Sequence, residues 1–269
     1  MKNKRTRRAA ALCLAALCAL SAFMSLRRAA QLRQSEAASA QARALAALPP
    51  APEEEPAPLP EEPPEPPPEE EPEEPDPDRD RLAAVDLEAL REVSGDVRGW
   101  LEIPGTELSY PLMQGEDNEY YLEHSWNGKP GAAGAVFLDS AAAADLSDPH
   151  TLVYGHRMRN GSMFGLLRNY RDAAFWEQHP RVYAVTDGGV LRYDVFAAYE
   201  AEIRGPVYQP DPDLEELVRL GLERSVIATG VVPEAGERIL TLSTCTGRGY
   251  AARWVVQAVL REGGEQAAP

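Results

Sequence analysis

Of the three cysteines in this 269-residue chain, Cys13 and Cys18 fall inside one uncharged run near the N-terminus. Cys245 is left as the single thiol of the remaining sequence, with no intrachain disulfide partner there. A lone thiol is either a small buried hydrophobe or a nucleophile. As a nucleophile it reacts as the thiolate, and a free cysteine with a pKa of about 8.5 is mostly protonated at neutral pH. It then needs a base or cation beside it, and positive charge where an attacked carbonyl becomes an oxyanion. The matching chemistry is acyl transfer through a thioester.

Position in the sequence supplies candidates for both partners. Cys245 closes an apolar stretch and precedes Thr246-Gly247-Arg248-Gly249. Strands that break into loops put reactive side chains at clefts. His156 has the same placement, following the apolar residues 151–154 through Gly155. The other histidines read differently: His150 after Asp148-Pro149 and His179 before Pro180 look like solvated turn positions, and His124 suits either surface or core. Arg253 opens the next apolar stretch and neighbours Cys245 if the connection folds back as a hairpin. Arg248, inside that connection, competes with it for the oxyanion role.

These residues need a scaffold that brings strand ends together. Leu87, Leu90 and Val93 recur at helical spacing. Residues 100–103 and 108–113 flank Pro104-Gly105 as a hairpin, and 135–138 and 151–154 are two further apolar strands. Phe164, Leu167 and Tyr170 suit a helix, with a further turn at Phe175 and Trp176. Residues 181–186 and 190–199 flank Asp187-Gly188-Gly189, a hairpin signal. Helical spacing returns over 214–227, before two last strands at 238–242 and 254–260. Many short strands with few helices predict a mainly β fold, a closed or nearly closed barrel.

Charge divides the chain into three. Residues 1–48 carry nine basic side chains and one acidic, whereas 49–80 carry fourteen acidic side chains and fourteen of the 24 prolines. Residues 81–269 have ordinary globular composition with no Lys/Arg cluster, which argues against nucleic acid as a partner. The uncharged run 9–26 is 18 residues long, near the shortest that spans a bilayer, and five basic residues precede it. The expected organisation is a cytoplasmic basic tail (1–8), a transmembrane anchor (9–26), an extracytoplasmic linker (27–80, Pro/Glu-rich from 49) and a catalytic domain (81–269). A cleaved signal peptide is the competing reading, with small residues at 37–40 for a peptidase. Either way the globular part is exported. The proline-rich segment has too few apolar side chains to fold, and as a stalk it would reach roughly 100 Å.

Residues 241–245 followed by Arg253-Trp254-Val255-Val256 resemble the active-site signature of the sortases. Residues 153–165, with Tyr154-Gly155-His156, are similar to the histidine segment of class B sortases, as are stretches at 99–106, 110–118 and 120–122. The resemblance runs in order from about residue 87 to 260. It implies a sortase-type closed β-barrel with an N-terminal helix and a helix inserted before the cysteine strand. It further implies Cys245 as nucleophile, His156 as general acid/base and Arg253 as the oxyanion or substrate-orienting group. Asn118, Leu122, Tyr154 and Ser243 match positions lining the sorting-signal groove. One departure is Thr246, where some class B members carry an acidic residue. The implied reaction cleaves the C-terminal sorting signal of a surface protein or pilin and passes the acyl group to an amine of peptidoglycan or a pilin. No metal-ligand or phosphate-loop spacing is present, so no cofactor is expected. A secreted thiol protease or wall hydrolase would use the same Cys/His pair with water, and a non-catalytic adhesin would not need the thiol.

Overall fold

The computed structural model describes residues 2–49, 76–245 and 251–262, with residues 2–16, 245 and 262 described by backbone alone. A long helix α1 (Lys2–Leu45) leads in. Two short helices follow, α2 (Pro77–Leu82) and α3 (Leu87–Arg91), capped by the carboxylates of Asp76 and Asp86, which accept from the Arg79 and Ala89 amides. Eight strands come next: β1 (Val97–Glu102), β2 (Ser109–Met113), β3 (Val136–Leu138), β4 (His150–Tyr154), β5 (Arg181–Thr186), β6 (Gly189–Glu202), β7 (Ile239–Cys245) and β8 (Ala252–Glu262). Between them lie α4 (Tyr120–Glu123), α5 (Ala173–Gln178) and α6 (Leu214–Arg224). The helix expected around Phe164–Tyr170 is present as a 3₁₀ helix, Phe164–Arg171.

The strands close into a barrel in the order β1-β2-β3-β4-β7-β8-β6-β5. The β2–β3 and β4–β7 pairs are parallel and the other neighbours antiparallel. Alternation along β7 and β8 sets their register. Leu240, Leu242, Trp254, Val256 and Ala258 join the interior cluster with Leu101, Leu112 and Tyr193, whereas Ile239, Val255 and Val259 lie in the outer cluster with Leu217 of α6. A one-residue slip would exchange the two faces. Burying a leucine is worth about 1.5–3 kcal/mol, so the slipped register is strongly disfavoured.

Helix α6 is the expected insertion before the cysteine strand, ending at Arg224 with Ser225 as its cap. Asp213 starts it by accepting from the Glu215 and Glu216 amides. A Cβ at Gly221 would lie 2.5 Å from Gln257 Oε1 and 3.0 Å from the Phe196 ring, so glycine lets the helix sit close to β6 and β8 without moving either side chain.

The N-terminal region departs from the expected tether. Ala38, Ala42 and Ala46 are buried against the barrel together with Leu82, Leu90, Trp100 and Trp126. Trp126 Nε1 donates to the Ala38 carbonyl (2.7 Å), and the Arg43 guanidinium donates to the carbonyls of Ser109 and Glu107. Asp86 N reaches the Ala46 carbonyl at 3.3 Å. Past the Pro/Glu-rich stretch, Asp76 is already tied to the barrel through the Tyr183 hydroxyl (2.7 Å). Residues on both sides of the acidic stretch thus pack on the body expected to begin at 81. Residues 50–75 lie outside the described residues. Among the described residues no helix is long and apolar enough to cross a membrane. The side chains of 9–16, part of the expected span, are outside them.

Candidate active site

Strand pairing assembles the site. In the parallel β4–β7 pair, Leu152 faces Thr241 and Tyr154 faces Ser243, and the Gly155 amide donates to the Ser243 carbonyl (3.2 Å). In the antiparallel β7–β8 pair, Ser243 faces Val255 and Cys245 faces Arg253. Cys245 and Arg253 therefore face each other where β7 and β8 end, and His156 follows two residues after Tyr154, the last residue of β4. They share the register parity of Tyr154 and Ser243.

The His156 ring has a defined orientation. Its Nε2 lies 2.6 Å from the Leu122 carbonyl. A carbonyl only accepts, so Nε2 carries hydrogen and Nδ1 is left to exchange protons. Leu122 itself is 38% exposed, an apolar side chain next to the histidine. Arg253 is half-buried, and one guanidinium nitrogen donates to the Ala252 carbonyl at 3.2 Å. Its charge reaches Tyr154. Burial pushes that phenol's pKa up, the Asp139 carboxylate adds to the rise, and Arg253 opposes it.

Asp139 organises the flank. Its Oδ2 accepts from both Asn118 Nδ2 (2.9 Å) and the Tyr154 hydroxyl (2.9 Å), and its Oδ1 accepts from the Ala141 amide. Asn118 Oδ1 in turn accepts from the Ser140 amide (2.8 Å), so this amide holds the β3–β4 connection in place. Ser243 is buried, with its hydroxyl 2.7 Å from that of Tyr208. Leu122, Tyr154 and Ser243 thus gather around the strand ends, with Asn118 joined to them through Asp139. Asp139 and Tyr208 were not singled out from the sequence. Asp139 ends an apolar strand, the same signal that marks His156, whereas nothing in the sequence marks Tyr208.

His150 and His179 are not the solvated turn residues the sequence suggested, and His124 falls within the range left open for it. His150 opens β4, with Nε2 2.9 Å from Thr241 Oγ1, and burial lowers its pKa to about 4. His179 packs on the Phe175 ring, and its Nδ1 lies 2.9 Å from the Pro104 carbonyl. His124 stacks on Tyr120 at 4.0 Å. Thr246 and Arg248 lie outside the described residues. Among the described residues no group of His, Cys, Asp and Glu side chains is arranged to hold a metal ion.

Comparison with known proteins converges on one family. Residues 101–261 match the sortase domain. Sortase B of Listeria monocytogenes is 35% identical over 183 residues, 65% of this chain and 74% of that protein. The Staphylococcus aureus sortase B–substrate complex superposes with a TM-score of 0.61 at 27% identity, covering 65% of this chain and 84% of that one. A Streptococcus pyogenes class B sortase involved in pilus biogenesis gives 0.61 at 28% identity, covering 66% and 98%.

Proposed function

We propose how the reaction runs in this chain, which belongs to the sortase family and, within it, to class B: cysteine transpeptidases that anchor surface proteins. Cys245 is the nucleophile, His156 the acid/base and Arg253 the oxyanion partner. What supports this assignment is the pairing of Cys245 with Arg253 at the ends of β7 and β8, with His156 just past Tyr154, whose β4 position pairs with Ser243.

The Cys245 thiolate attacks a backbone carbonyl carbon in the sorting signal of a surface protein or pilin. The carbonyl electron pair moves onto oxygen, and the Arg253 guanidinium offers its N–H groups to that oxyanion. As the carbon–nitrogen bond breaks, the departing amine takes a proton from His156, leaving a thioester. A primary amine, from a peptidoglycan cross-bridge or a pilin lysine, then attacks the thioester and gives its proton to His156. Collapse expels the Cys245 thiolate and restores the starting state.

Substrate contacts come from Leu122, Tyr154 and Ser243, with Asn118 shaping the groove through Asp139. The exposure of Leu122 beside His156 supports this reading. The enzyme works outside the cell, held by a membrane-spanning anchor at residues 9–26. The support for that is the uncharged run, the basic residues before it and its place on the helix α1.

The test is a sorting-signal peptide incubated with the enzyme, with and without a primary amine. Amine-dependent formation of the joined product is expected, together with a thioester on Cys245 that hydroxylamine releases. Cleavage at one rate with only hydrolysed product, whatever amine is added, would establish the hydrolase reading instead.

A further inference from the structure

The acid/base role of His156 requires its ring to be held in one orientation, and the structure shows what holds it. Three successive carbonyls of α4 are each claimed by a different group. The Tyr121 carbonyl accepts from the Ala135 amide (2.9 Å) and the Glu123 carbonyl from the Gly131 amide (2.8 Å). The Leu122 carbonyl, between them, accepts from His156 Nε2 (2.6 Å). The strip 131–135 therefore staples α4 on both sides of the one carbonyl left for the histidine.

Gly134 sits where this strip, α4 and the imidazole meet. Its φ is +60°, and its own amide donates to the Gly131 carbonyl at 3.0 Å. A Cβ at that position would lie 2.4 Å from the Tyr121 carbonyl oxygen, 2.9 Å from the Leu122 carbonyl oxygen and 3.1 Å from His156 Cδ2. The first two contacts are with backbone, which cannot rotate away as a flexible side chain can. Any side chain at 134 must therefore displace the acceptor, the ring or both.

We propose that Gly134 is a positioning residue for the transpeptidation. By leaving room for the Leu122 carbonyl against the imidazole, it fixes His156 as the Nε2–H tautomer and makes Nδ1 the nitrogen that gives and takes the proton. In the resting ring the lone pair is on Nδ1. In the imidazolium the second proton is on Nδ1, and that proton goes to the leaving amine, while the Nε2–H bond to Leu122 stays unbroken throughout. This rests on the assignment of His156 as the acid/base and adds which atom works and what holds it there.

The test compares Gly134→Ala with Gly161→Ala in the full-length chain. Gly161 has a φ of +89° with nothing within 4 Å of an added Cβ, so its variant carries backbone strain without the clash. Misplacing a catalytic group by about 1 Å can cost about 10²-fold in rate. We expect Gly134→Ala to lose kcat on that scale with KM little changed, and Gly161→Ala to keep its kcat. In parallel, ¹⁵N-resolved NMR of selectively labelled wild-type enzyme should show His156 as the Nε2–H tautomer, with Nδ1 unprotonated when the ring is neutral. That measurement needs no variant to fold. A wild-type ring found as the Nδ1–H tautomer overturns the proposal. So does a Gly134→Ala enzyme with wild-type kcat when His156→Ala is inactive. Full activity in His156→Ala would remove the acid/base assignment itself, and this inference with it.

Discussion

His150 opens β4 and His156 lies just past its end, with the same register parity, yet the two rings have opposite fates. At the His150 end the sheet is covered. Val207, Tyr208 and the start of α6 at Leu214 line, with His150 and Leu152, a cavity of about 480 Å³. Gln257 Nε2 donates to Thr241 Oγ1 (3.2 Å), which lies 2.9 Å from His150 Nε2. Burial lowers the His150 pKa to about 4, so near neutrality the ring is an uncharged strut. At the His156 end, one backbone carbonyl holds the ring and the strand ends converge. One ring opens β4 and the other follows its end, so it is their surroundings, and not the strand, that set the two apart.

Four substitutions probe that contrast, from the largest expected effect to the smallest. Cys245→Ala should reduce amine transfer to background with the melting temperature close to wild type. Residual transfer above trace would mean the open end of β7 is not where the nucleophile resides. Arg253→Lys should lower turnover by roughly 10²–10³-fold, because an ammonium cannot reproduce the paired donors of a guanidinium. Steady-state rates with Arg248→Ala as control measure this, and an inert Arg253 beside an essential Arg248 would reverse the assignment.

The third prediction tests the closed end. With its folded pKa depressed to about 4, His150 takes up a proton more readily in the unfolded chain, whose imidazole titrates at about 6.5. Its contribution to stability is present above about 6.5 and is lost as pH falls through that range toward 4. Urea melts at pH 7 and 4.5 should show the decline, and His150→Gln should flatten it while transfer at pH 7 persists. A pH dependence unchanged by the substitution would show that the ring is not the titrating strut. Finally, Tyr154→Phe removes one hydrogen bond to Asp139, worth about 1 kcal/mol. The urea midpoint should shift accordingly, with no larger change expected.

Much of this was legible because the signals are local. Alternating apolar residues bounded by turns marked β5 and β6 around Asp187-Gly188-Gly189. The parallel β4–β7 pairing was not legible, since it joins residues 89 apart in sequence, such as Tyr154 and Ser243, through no local signal. His150 was misread because Asp148-Pro149 resembles a turn, whereas its burial depends on Thr241 and on the distant loop around Tyr208. The docking of Ala38, Ala42 and Ala46 was missed for a different reason. Alanine is equally at home in a tether and in a close helix contact, so only the partner surface decides.

That contact changes what the acidic, proline-rich stretch can do. Had the barrel hung from it, each added residue would have lengthened the reach. Instead the chain is fastened at the Ala46 carbonyl before the stretch and again at Asp76 and Asp86 after it. Between fixed ends, length enters only as closure entropy, at about 0.6 kcal/mol for each doubling. The separation between residue 26 and the barrel is set instead by the helix, whose rise of about 1.5 Å per residue places buried Ser35 about 14 Å farther along. A longer or shorter acidic stretch would thus leave that separation unchanged.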